Sequence, residues 1–143
     1  MGQAQLLLIV LGVVLVGIAI IAGIQAYDQN NRKSSVDALT HDAMRIASDL
    51  QVWAQKPAQF GGPDEYGDLD GTNETTELGA PEAFGYDAAH VNSNGTCNFT
   101  RAATAVITCV NGPLGTSVTV EVDGLRDTDI SVTEQLLEPA PAG

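Results

Sequence analysis

The chain has 143 residues, 44% of them hydrophobic, with 18 acidic against 6 basic side chains and a net charge of −12. That length holds one domain with its own core and not two, and a charge of that sign repels phosphate backbones, which argues against nucleic acid as a partner. The charge is unevenly placed: residues 1–57 carry four basic and four acidic groups, while residues 58–143 carry two basic and 14 acidic ones and hence the whole −12.

The first element is a run of 19 residues without a polar side chain, Leu6–Ile24. As a helix it spans about 28 Å, close to the hydrocarbon thickness of a bilayer. Residues 1–25 are therefore read as an apolar helix that inserts in a membrane. A cleaved secretory signal is the competing reading, but no Lys or Arg precedes the run and it is long for such a segment. Gly12, Gly17 and Gly23 interrupt it, and Ala19 with Gly23 forms a small-xxx-small pair of the kind that lets helices approach closely. Each glycine also weakens the helix by about 1 kcal/mol relative to alanine, so Gly17 and Gly23 mark where it would melt in an assembly. A soluble cytosolic enzyme would not expose such a run. The chain also lacks HExxH, GxSxG and GxxxxGK[ST] patterns, so neither enzymatic activity nor a cofactor is expected.

Residues 26–56 contain no strong helix breaker before Pro57. Val36, Leu39, Ala43, Ile46, Leu50 and Trp53 recur at spacings of 3 and 4, an apolar stripe on an otherwise polar helix, widened by Ala47 and Ala54. Asp28 and Arg32 have the favourable i,i+4 order. Pro57 ends the helix near residue 55 or 56, and Ser34 or Ser35 is a candidate cap for an interruption.

Residues 57–143 form the acidic head. Residues 57–95 are rich in Gly, Pro, Asp, Glu, Asn and Thr and read as loop with at most a short strand or helical turn, pinned by Phe60, Tyr66, Phe84 and Tyr86. Thr96–Thr100 and Ala105–Val110 read as a hairpin, Thr116–Val122 as an alternating strand, and Ile130 to Leu136 as a last strand. The fold class is thus α+β: a long N-terminal helix, apolar then amphipathic, packed against a roughly four-stranded antiparallel sheet. Val118, Val120, Val122, Ile107 and Ile130 should face the Val36–Trp53 stripe, the only long apolar face able to cover them.

Cys97 and Cys109 fall on paired strands. They suggest one disulfide, with two reduced, buried thiols as the alternative. A disulfide places the head outside the cytoplasm, although Arg32 and Lys33 beside the apolar run pull the other way. Asp64, Asp68 and Asp70 sit on a glycine-containing acidic loop and are weak calcium candidates, since the loop lacks EF-hand ligand order; no other metal site is expected. Asn73, Asn94 and Asn98 each begin an Asn-X-Thr glycosylation triplet, with Asn73 and Asn94 ranked above Asn98 because the last lies in a predicted strand. His41 and His90 lack metal-spaced partners and read as surface residues.

The apolar run, its continuation into the amphipathic stripe, and the C-terminal sheet with two cysteines together resemble a type IV pilin or pseudopilin. The resemblance covers the architecture of the whole chain. It implies a structural subunit that rests in the inner membrane, is handled by pilus assembly machinery, and then polymerises with copies of itself into an extracellular filament serving adhesion or motility. Leu6, Leu7, Leu8, Val10, Leu11, Val14, Leu15, Ile18, Ile21 and Ile24 would form the filament core. The family cuts a short basic leader after a glycine and carries a glutamate near the mature N-terminus. Here Met1 and Gly2 alone precede Gln3, so Gly2 is the candidate residue before a cut, with a processed or methylated N-terminus after it. Gln3 and Gln5 are the polar groups available for the N-terminal contact, and glutamine hydrogen-bonds an amine without forming an ion pair. Two other roles fit the same layout: a pseudopilin or minor pilin of a secretion machine, and a single-pass anchored surface binding module.

Overall fold

The computed structural model describes residues 2–63, 85–87, 89–101 and 104–136. One helix, α1 (Gly2–Ala54), is followed by a 3-10 turn at Ala58–Phe60 and by strands β1 (Ala89–Val91), β2 (Thr96–Arg101), β3 (Ala105–Asn111), β4 (Thr116–Val122) and β5 (Ile130–Leu136), with a second 3-10 turn at Asp127–Asp129. The strands form one antiparallel sheet in the order β1-β2-β3-β4-β5. The architecture is α+β, with five strands where the sequence suggested about four. The added strand is β1, too short to show an alternating pattern and made a strand by pairing with β2, His90 opposite Cys97.

The helix covers one face of the sheet. Val36, Leu39, Ala43, Ile46, Ala47, Leu50, Trp53 and Ala54 are buried against Ala105, Ile107, Cys109, Val118, Val120 and Val122, with Ile130 partly buried at the margin. Register explains the match. Ile107 lies opposite Val120 and Cys109 opposite Val118, so alternate residues of β3 and β4 present one continuous apolar row to the helix. Cys97 and Cys109 are opposed across β2 and β3, fully buried and joined in a disulfide.

No interruption occurs at Ser34 or Ser35. Ser35 does not cap a new helix. Its side chain is buried, and its Oγ lies 2.9 Å from Thr116 Oγ1 at the start of β4. This satisfies two hydroxyls that would otherwise lose water without compensation. At the other end of the packed stretch, Gln51 Nε2 donates to the carbonyls of Gly124 and Arg126 at 2.8 and 2.9 Å. Ser35 and Gln51 thereby pin both ends of β4 to the same helix. Past Pro57 the chain turns through Gly61 in the left-handed region (φ 81°), and its carbonyl accepts from Trp53 Nε1 at 2.8 Å. Phe60 does not pin this segment as expected; it is 78% exposed because the turn aims it outward. Tyr86 does pack on the core, while Tyr66 and Phe84 lie outside the described residues.

Candidate functional site

The first part of α1 stands clear of the head. Every residue from 2 to 30 is exposed, and burial against the sheet begins only at Ser35 and Val36. Between Leu6 and Ile24 there are fourteen large apolar side chains, among them Ile9, Val13, Val16 and Ile20 beside the ten candidate core residues, each more than half exposed. Removing such side chains from water is worth about 1–2 kcal/mol each at this exposure, or roughly 15–30 kcal/mol together. Soluble monomers rarely expose apolar patches beyond a few hundred Å². This is the one helix of the described residues long and apolar enough to cross a membrane.

The helix passes through the glycines without a break: Gly12, Gly17 and Gly23 all lie inside α1, so the isolated subunit shows no melting at Gly17 or Gly23. A Cβ at any of the three would meet nothing within 4 Å. Among the described residues, no intramolecular contact therefore asks for glycine at these positions. Gly12, Ala19 and Gly23 follow one another at intervals of 7 and 4 residues and so share a face. Leu39, at the centre of the head-packing stripe, comes 27 residues after Gly12, or about 7.5 turns, on the opposite side. The small-residue seam faces away from the head, where a neighbouring helix has room to approach. Gln3 and Gln5 are on the exposed first turns of the same helix.

A polar collar joins rod to head. Tyr27 is 69% exposed three residues beyond Ile24, an amphipathic ring just past the apolar segment; aromatic side chains of this kind favour membrane–water interfaces. The signal for it in the sequence is an aromatic just past an apolar run. Arg32 Nε lies 3.3 Å from Asp28 Oδ2, an ion pair by distance without hydrogen-bond alignment. Thr40 Oγ1 donates to Glu134 Oε1 at 3.4 Å, linking the collar to the edge strand β5.

Two helix carboxylates fasten the head's first segments. Asp42 Oδ2 accepts from Asn92 Nδ2 at 2.8 Å and from Asn94 Nδ2 at 2.7 Å. Asn92 Oδ1 in turn accepts from the backbone of Asn94 and Gly95, and Asn111 Nδ2 donates to the Asn94 carbonyl at 2.7 Å. One turn of asparagines is thereby locked between helix and β3. Asp49 Oδ2 accepts from the Tyr86 hydroxyl at 2.6 Å. Burial, together with that hydrogen bond and the negative charge of Asp49, pushes the Tyr86 phenol up to about 12. Tyr86 also meets His90 edge to face, centroids 5.0 Å apart, so His90 is a half-buried ring neighbour; His41 is exposed as expected.

The acidic candidates Asp64, Asp68 and Asp70, and the acceptor Asn73, lie outside the described residues. Among the described residues, no three His, Cys, Asp or Glu side chains are grouped to hold a metal. For the other two acceptors the structure reverses the sequence ranking on accessibility. Asn98 is exposed on β2, whereas Asn94 is half-buried with its amide nitrogen engaged by Asp42. Comparison with protein-family models, curated proteins and solved structures gives no match.

Proposed function

We propose that the chain is the structural subunit of an extracellular, type IV pilus-like filament and polymerises through the exposed half of α1. One observation carries the reading: an all-round apolar helix runs without a linker into the helix that the head is built on. A membrane anchor for a binding module needs only the apolar span and tolerates a flexible tether after it. An unbroken rod fixed rigidly in a soluble head suits a unit whose heads must be held at set positions around a bundle of helices.

In this reading the apolar segment rests in the inner membrane, with Tyr27 at its interface, until assembly machinery draws it out. It then exchanges lipid for the helices of other copies, and both environments exclude water. The seam of Gly12, Ala19 and Gly23 admits a neighbour's helix on the side away from the head. Gln3 and Gln5 make the N-terminal contact by hydrogen bonding alone. The disulfide-bonded acidic heads lie outside and repel one another enough to keep filaments apart. The same layout serves a pseudopilin or minor pilin of a secretion machine.

Material sheared from the surface of producing cells, imaged by negative-stain electron microscopy, tests the reading. Uniform filaments composed mainly of this chain are expected. A chain recovered only as membrane-bound monomer, with no filament containing it, refutes it.

A further inference from the structure

The Asn-X-Thr triplets are a sequence motif that filament assembly leaves unused. We propose that the chain is N-glycosylated at Asn98, on the open face of the sheet, and not at Asn94; this rests on the reading that the head lies outside the cytoplasm.

Strand register places the acceptor. Cys97 is fully buried and Phe99 packs on the core, so Asn98 and Thr100 project from the opposite face of β2. Asn98 is exposed, with Ala89 of β1 on one side and Thr108 of β3 on the other. Thr100, the hydroxyl residue of the triplet, shares that face one pleat away, so both recognition groups are presented together. The surroundings are neutral in a chain of net charge −12. The row through Asn98 continues as Thr108, Thr119 and Thr133, and Val106 and Val110 flank Thr108. Hydroxyls and short aliphatic side chains suit the hydroxyl and C–H faces of a sugar. Among the described residues of β2, β3 and β4 on this face, Glu121 is the single charge.

Asn94 offers the reverse. Its Nδ2 is 2.7 Å from Asp42 Oδ2, its backbone N–H donates to Asn92 Oδ1, and its carbonyl accepts from Asn111. A saccharide on that nitrogen has to stand where α1 stands, so the modified chain could not close the turn onto the helix.

The reaction is a displacement. Asn98 Nδ2 attacks the anomeric carbon of a saccharide carried on a lipid diphosphate. The N–C bond forms as the C–O bond to phosphate breaks, the lipid diphosphate leaves with the electron pair, and Nδ2 gives up one proton to a base of the transferase. The donor lipid and a membrane oligosaccharyltransferase meet the chain at the bilayer that its apolar helix enters.

Full-length chain recovered from the membranes and surface of producing cells is compared with Asn98→Gln, Thr100→Ala and Asn94→Gln by intact mass, and free thiols are alkylated in denaturant without reduction in the same samples, since both cysteines are buried in the folded head. Expected is a wild-type mass at least one saccharide above that of Asn98→Gln after correction for the substitution, an excess lost in Thr100→Ala and kept in Asn94→Gln. Asn98→Gln should unfold at the wild-type temperature, since its side chain bears on nothing in the core. No mass difference between wild type and Asn98→Gln beyond the substitution itself, or a saccharide lost in Asn94→Gln, overturns the proposal. Where the excess is missing and the thiols resist alkylation, glycosylation alone fails and the exterior filament reading stands; thiols that alkylate readily overturn both.

Discussion

The seat of the helix on the β1–β2 turn gives a two-site test of the packing. Leu39 is fully buried, and a Cβ at Gly95 would stand 3.1 Å from its Cδ2 while colliding with the Val110 carbonyl oxygen. Leu39→Ala leaves a cavity and should cost about 3 kcal/mol. Gly95 does not need positive φ, so Gly95→Ala gains about 0.5–1 kcal/mol from a less free unfolded chain. Overpacking against a carbonyl that cannot swing aside costs about 2–3 kcal/mol, leaving a net loss of about 1–2.5 kcal/mol. In the double variant the contact with Leu39 disappears and the collision with Val110 stays. The losses should therefore nearly add, with a coupling below about 1 kcal/mol. The measurement is urea unfolding of the full chain in detergent micelles, followed by Trp53 fluorescence. Trp53 is the only tryptophan, is buried, and is tied to the Gly61 carbonyl at the far end of the packed helix. If Leu39→Ala restores Gly95→Ala to the stability of the single leucine variant, side-chain crowding alone shapes the turn and the backbone argument is wrong.

Three further outcomes follow from the same contacts. Asp42→Ala removes the acceptor for Asn92 and Asn94 and should cost about 1–2 kcal/mol, with amide exchange accelerated at Asn94 and Gly95 well before β4; equal acceleration in both would count against a local latch. Tyr86 keeps its proton to about pH 12, above the usual phenol value of about 10. Its folded-state value is raised, so the stability it lends is full below about pH 10 and lost as the pH climbs through about 12; alkaline absorbance titration should lose its latest phenolate step in Tyr86→Phe and shift it downward in Asp49→Asn. Replacing both Cys97 and Cys109 by alanine opens a loop of sequence separation 12 and should lower stability by about 3 kcal/mol, read by the same urea unfolding; a loss below about 1 kcal/mol would mean that β2 and β3 already restrict the unfolded chain.

What could be read from the sequence were the features with a period. The 3- and 4-residue spacing from Val36 to Trp53 announces a buried face, and the alternation of Val118, Val120 and Val122 announces the strand beneath it. What escaped was fixed by partners remote in the chain. Ser35 looks locally like a cap, and only Thr116, 81 residues on, makes it a buried tie. The Asp42 latch needs Asn92 and Asn94, about 50 residues away, and no periodicity connects them. β1 has three residues and owes its extended form to β2. The half-burial of Asn94 escaped for the same reason: loop residues are usually open, and this loop is folded onto the helix.

The absence of a joint between rod and head also has a mechanical consequence. From Ser35 back to Gly2 the helix projects over about 50 Å as one stiff piece, and among the described residues it is clamped from Ser35 onward, by β3, β4, β5, the β1–β2 turn and Tyr86. Such a projection works as a lever arm. A tilt of about 5° at the clamp sweeps the free tip through about 4 Å, comparable to the offset between neighbouring ridges on a helix surface. In the proposed filament, a substitution deep in the head, with no part in any contact between copies, would thus be enough to misalign Gln3 and Gln5 at the other end.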